Sequence, residues 1–158
     1  MPRDYVLRLI DQVALMLATI VAKRKAGQTE EARRDIEEQA LQHTGLPLKL
    51  VRGAPPTLIS ELLRTSGELR FIRGVLLAEL LYQDAQIAEE CGDKPGAFSA
   101  YLHTWWLLYD AAISFSTEER IHFGERQEHA RTRLIALAGD LGVTLAEHVP
   151  PAFFAAKP

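Results

Sequence analysis

The sequence predicts a single all-α domain, and three observations carry that reading. Apolar residues recur every three or four positions over most of the chain, the spacing that gathers them on one face of a helix. Glycines and capping residues punctuate those stretches at helix-length intervals. No stretch of convincing length alternates apolar and polar residues as a half-buried strand would. The chain has 158 residues, 47% of them hydrophobic and 25% charged, which suits one globular domain with its own core.

Val6, Ile10, Val13, Leu17 and Ile20 predict a first helix over 4–25. Gly27 is placed to end it in the left-handed conformation, and the Thr29 hydroxyl to cap the next helix. Ala32, Ile36, Gln39 and Ala40 form the inward face of that second helix, which closes at Gly45. Its first turn carries Glu30 and Glu31, where the helix dipole favours acids. Pro47, Pro55, Pro56 and Gly53 make 46–56 a surface loop, with a short strand at Leu46, Leu48 and Leu50 as the alternative. Leu58, Leu62 and Leu63 give a brief helix over 57–65 its buried face.

A long helix over 69–91 follows. Between Val75 and Tyr82 its only charge is Glu79, which predicts a central position. Gly92 and Asp93 repeat the stop-and-start signal, and Pro95 is tolerated in the first turn of a fifth helix reaching Phe115. Ser116 and Glu119 form a capping box for a sixth helix ending at Gly142. Beyond it, Pro150-Pro151-Ala152-Phe153-Phe154 is an apolar tail that cannot be a long helix. One domain over 1–145 therefore divides into a hairpin (4–45), a loop and short helix (46–67), a second hairpin (68–115) and a capping helix (117–142). The tail occupies 146–158.

The two hairpins share a pattern. Gly27-Gln28-Thr29-Glu30-Glu31-Ala32-Arg33-Arg34-Asp35-Ile36 aligns with Gly92-Asp93-Lys94-Pro95-Gly96-Ala97-Phe98-Ser99-Ala100-Tyr101. Each copy is a long helix, a glycine turn, then a helix in which a small residue precedes a large one by four positions: Ala32 and Ile36, Ala97 and Tyr101. The small residue lets two helices approach, and the large one fills the space beyond. This unit resembles the tetratricopeptide repeat (TPR), the second copy more closely because Ala85, Ala97 and Tyr101 all fall on the repeat's small and large positions. Leu81 and Ala88 stand where the family carries Trp and Tyr, and the copies lie farther apart than the usual spacing of about 34 residues. The layout is also similar to an uncharacterised bacterial family with TPR-like helices.

The resemblance implies about six helices in antiparallel hairpins, wound as a right-handed superhelical stack. It also implies an extended peptide or protein partner lying along the first helix of each pair. The positions implied for that groove are Ala14, Leu17, Val21, Arg24 and Lys25, then Glu79, Tyr82, Gln86, Glu89 and Glu90. The second copy offers Tyr, Gln and Glu rather than the Lys and Asn that capture a C-terminal carboxylate. Its half of the groove is acidic and suits a basic or neutral partner.

Composition narrows the function classes. Eighteen basic residues against 21 acidic ones give a formal charge of −3, which argues against nucleic-acid or anionic-membrane partners. Cys91 is the only cysteine, so neither an intramolecular disulfide nor a multi-cysteine zinc site is available. It precedes the Gly92 turn, and a helix C-terminus disfavours a thiolate. The uncharged run 13–22 is too short to span a bilayer, and Lys23, Arg24 and Lys25 follow it rather than precede it as in a secretory signal. A soluble, cytoplasmic protein is expected. No nucleophile elbow, Walker loop, dinucleotide fingerprint or His-Glu-x-x-His motif is present, so no cofactor is called for.

Two constellations remain. Trp105, Trp106 and Tyr109 are candidate interface anchors, because successive helical residues turn by about 100° and the two indoles cannot share one face. Asp110 is a candidate acceptor for an indole N–H. Phe153 and Phe154 join the anchors: leaving either in water costs about 1.5–3 kcal/mol, so the tail should dock on its own bundle or on a neighbouring subunit. Glu118, His122, Glu125 and His129 lie along one stripe of the sixth helix. They are divalent-metal ligands by type, yet one straight helix cannot surround an ion, and an exposed polar face is the simpler reading. His43, His103 and His148 read as structural, and Arg64, Arg70 and Arg73 as a modest basic cluster. The leading expectation is a non-enzymatic protein-interaction or self-assembly scaffold, with a homodimer left open. The alternative is a small-molecule or metal-dependent helical enzyme working through the Glu/His stripe.

Overall fold

A computed structural model of the chain describes residues 3–67 and 70–155, with side chains from Asp11 onward. Among the described residues there is no strand, and seven α-helices form: α1 (Arg3–Lys25), α2 (Thr29–Thr44), α3 (Leu48–Gly53), α4 (Pro56–Arg64), α5 (Arg70–Glu90), α6 (Lys94–Ala111) and α7 (Thr117–Leu141). The expected all-α class holds. The first-helix residues Val6 and Ile10 lie outside the described side chains. None of the described helices is long and apolar enough to cross a membrane.

The helix that carries the nearly charge-free stretch 75–82 is central, as its sequence predicts. Fifteen of the 21 residues of α5 are buried, and it packs against α1, α2, α4 and α6. Side-chain pairs fix the directions. Lys23 meets Asp35 and Thr104 reaches Ala78, so α1–α2 and α5–α6 are antiparallel hairpins. Glu79 meets Arg126 and Glu89 meets Arg133, so α5 and α7 run parallel. Two cores result. One gathers Ile20, Ile36, Ile59, Leu77 and Phe123 around the first half of α5. The other gathers Ala97, Tyr101, Trp105, Leu134 and Phe153 around its second half and α6.

The duplicated unit has duplicated backbone geometry. Gly27 and Gly92 adopt φ of +80° and +76°, which glycine reaches without steric cost. The next amide closes the same motif in each copy: Gln28 N–H donates to Lys23 O at 2.9 Å, Asp93 N–H to Ala88 O at 2.8 Å. Val143 N–H repeats it on Ala138 O at 2.9 Å, after Gly142. Ala32, Ile36, Ala97 and Tyr101 are all buried. The Ser116 capping box forms, its Oγ accepting from Glu119 N–H at 3.2 Å while Glu119 Oε1 accepts from Ser116 N–H at 2.8 Å.

Four expectations are corrected. There are seven helices rather than six, because 48–53 is helical and neither a loop nor a strand. Its prolines sit just before or at helix starts (Pro47, Pro55 and Pro56), where a missing N–H costs nothing, and Leu48 and Val51 bury one short face. Starting α4 at Pro56 makes Ile59 and Leu63 its inner face, which turns Leu58 outward, 45% exposed. Thr29 is not a cap: Gln28 holds that position with no side-chain hydrogen bond, whereas Asp93 caps α6 by accepting from Gly96 N–H at 3.0 Å. The fifth predicted helix stops at Ala111, and Ala112–Ser114 tightens into a 3-10 turn before Phe115.

Candidate functional site

The groove positions lie in the seams between α1, α5 and α7. Arg24 Nη1 donates to Gln83 at 3.1 Å and also to Gln86, and its Nε lies 3.5 Å from Glu90. Arg126 pairs with buried Glu79 at 3.2 Å and spreads its guanidinium 4.2 Å from the Tyr82 ring centre. The Tyr82 hydroxyl shares a hydrogen bond with His129 Nδ1. Arg133 grips Glu89 with two bonds of 2.9 and 2.7 Å. Leu17 and Val21 are half-buried beside them, and Ala14 and Lys25 are exposed.

Burial sets the electrostatics of these seams. It raises the pKa of Glu79, against the opposing charges of Arg126 and His122, and Glu79 Oε1 is buried without a hydrogen bond. Glu89 is also pulled upward by burial, but hydrogen bonds from Arg133 and Tyr101 outweigh it and leave the carboxyl below its usual range. Arg24, Gln86, Tyr82 and Glu89 thus spend their polar groups on neighbouring helices.

The aromatic anchors come together elsewhere. Trp105 and Tyr109, one turn apart on α6, stack at 5.0 Å with their planes 13° apart. Trp106 points round the helix toward the chain beyond α7, where its Nε1 donates to His148 O at 3.0 Å. That bond settles the acceptor question: Asp110 takes the Ser60 hydroxyl instead. The tail turns back as a 3-10 segment, Pro151–Phe154, and sets Phe153 edge-on to Trp105 at 5.1 Å. Arg131 Nε donates to Phe153 O at 2.8 Å, with the guanidinium 5.4 Å from the ring centre.

Phe153 is 1% exposed, so the tail docks on its own bundle. Phe154 is 51% exposed and Tyr109 41%. Between them opens a surface cleft of about 450 Å³, lined also by Trp105, Gln127 and Arg131. Large flat side chains with little rotamer freedom and a polar rim are the composition of a binding hot spot. Sequence reasoning missed Gln127 and Arg131; their spacing of four on α7, opposite the α6 aromatics, is the signal that could have found them.

The Glu/His stripe faces outward. Glu118, His122 and Glu125 are exposed, His129 is tied to Tyr82, and no three His, Cys, Asp or Glu among the described residues converge to hold a metal. His103 is structural: its ring nitrogens lie 2.8 Å from Ser99 O and 2.9 Å from Ala54 O, pinning the α3–α4 connection to α6. Asp84, which no pattern flagged, is buried and accepts from Arg52 Nε at 3.1 Å, holding α3 onto α5. No protein family, no curated protein and no solved structure matches this chain.

Proposed function

We propose that the chain is a non-enzymatic protein-interaction scaffold, a short TPR-like array whose working surface is the aromatic cleft rather than the seam between first helices. The observation that carries this reading is the convergence of Trp105, Tyr109, Phe153 and Phe154 on one patch, with Tyr109 and Phe154 left exposed beside a cleft. Two large apolar surfaces kept in water are offset when a partner covers them. The rigid backing supports it too, since the docked tail and the Arg131 bond hold the cleft wall before any partner arrives. The partner is a protein segment offering one large apolar side chain to the cleft.

Selection of random displayed peptides against the full chain tests this. Enriched peptides share an apolar or aromatic anchor and lose at least tenfold in affinity when Tyr109→Ala and Phe154→Ala are combined. Self-association abolished by the same double variant assigns the cleft to a second copy of this chain. The reading fails if no peptide is enriched and the chain is monomeric, or if binding ignores both substitutions.

A further inference from the structure

A separate cavity of about 150 Å³ lies between α4, α5 and α6, floored by Leu63, Phe71 and Leu107. An engineered apolar cavity of that volume in another protein takes up benzene. Gly74 lies in its wall, buried within α5. Glycine is the residue least favourable to a helix after proline, and here neither a turn nor a close approach requires it. Its φ is not positive, and an added Cβ would meet only Leu63 Cδ1 at 3.9 Å, an ordinary contact. The omitted side chain leaves room on the cavity side of the helix.

The mouth is charged. Asp110 already accepts from Ser60, and Arg64 pairs with Glu61 at 3.0 Å. Arg70 reaches the cavity with no hydrogen-bond or ion-pair partner among the described residues. A guanidinium forks naturally onto a carboxylate. From a benzene-sized, part-open pocket with Leu63, Phe71 and Leu107 along its floor and an arginine on its polar rim, we infer a binding site for a small apolar carboxylate, its hydrocarbon body against Gly74 and Phe71 and its acid group on Arg70.

Titration of the full chain with benzoate, benzyl alcohol and benzylamine, followed by amide chemical shifts, tests the site. Benzoate saturates with shifts centred on Phe71, Gly74 and Asp110, and the alcohol and amine bind at least tenfold more weakly. Arg70→Gln lowers benzoate affinity at least tenfold. Gly74→Leu abolishes binding by filling the chamber, and the smaller Gly74→Ala, which retains the helix, weakens it. Absence of saturable benzoate binding, equal binding of the three compounds, or indifference to Arg70→Gln and Gly74→Ala would each overturn the assignment. The outcome does not depend on the aromatic cleft.

Discussion

His103 sits between two backbone carbonyls, and a neutral imidazole has only one N–H to give them. Burial pushes its pKa below the ordinary 6.5 despite both carbonyls. The unfolded chain therefore takes up this proton first as the solution is acidified. Stability tied to the neutral ring is fully present above about pH 6.5 and is lost as pH falls below it toward the folded pKa. Thermal unfolding between pH 7.5 and 5 should show a falling melting temperature, and His103→Gln should flatten that slope while lowering the starting value. A slope unchanged by the substitution would remove His103 from the account. Sequence alone marked this histidine as structural but could not find its acceptors, because Ala54 lies 49 residues away. Phe153 and Phe154 make the same point: adjacent and identical, they differ only in which ring the 3-10 turn points inward.

Among the elements, the helix ends were the most legible. Gly27, Gly92 and Gly142 each close a helix with a positive φ, and a glycine just past the last residue of a helix-periodic stretch is a local signal that needs no tertiary information. Chemically identical substitutions should therefore have opposite signs. Gly92→Ala places a side chain in the left-handed region and costs about 1 kcal/mol or more. Gly124→Ala, inside α7 with nothing within 4 Å of its Cβ, gains about 0.5–1 kcal/mol. Urea unfolding of both variants measures the difference, and equal effects would contradict the cap geometry. What escaped was α3, since three prolines read as loop signals until their places before and at helix starts are known. The register of α4 was lost with it.

At the scale of the whole molecule, the sequence placed α5 at the centre correctly, because a stretch apolar nearly all round has nowhere else to go. The positions expected along a groove meet a neighbour that the sequence does not announce: α7 lies parallel to α5, and its Arg126, His129 and Arg133 contact Glu79, Tyr82 and Glu89. No spacing within either helix announces that pairing. The aromatic residues were identifiable singly, but their meeting depends on the chain beyond α7 returning to α6 across the 42 residues that separate Trp106 from His148. Removing everything after Pro150 probes that return most directly, by comparing urea unfolding and solution mass with those of the full chain. We predict a loss of about 3–5 kcal/mol, the usual cost of deleting a buried phenylalanine, with the mass per particle falling only by the residues removed. Unchanged stability, or an assembly that dissociates on truncation, would mean that Phe153 does not build the cleft wall within its own chain.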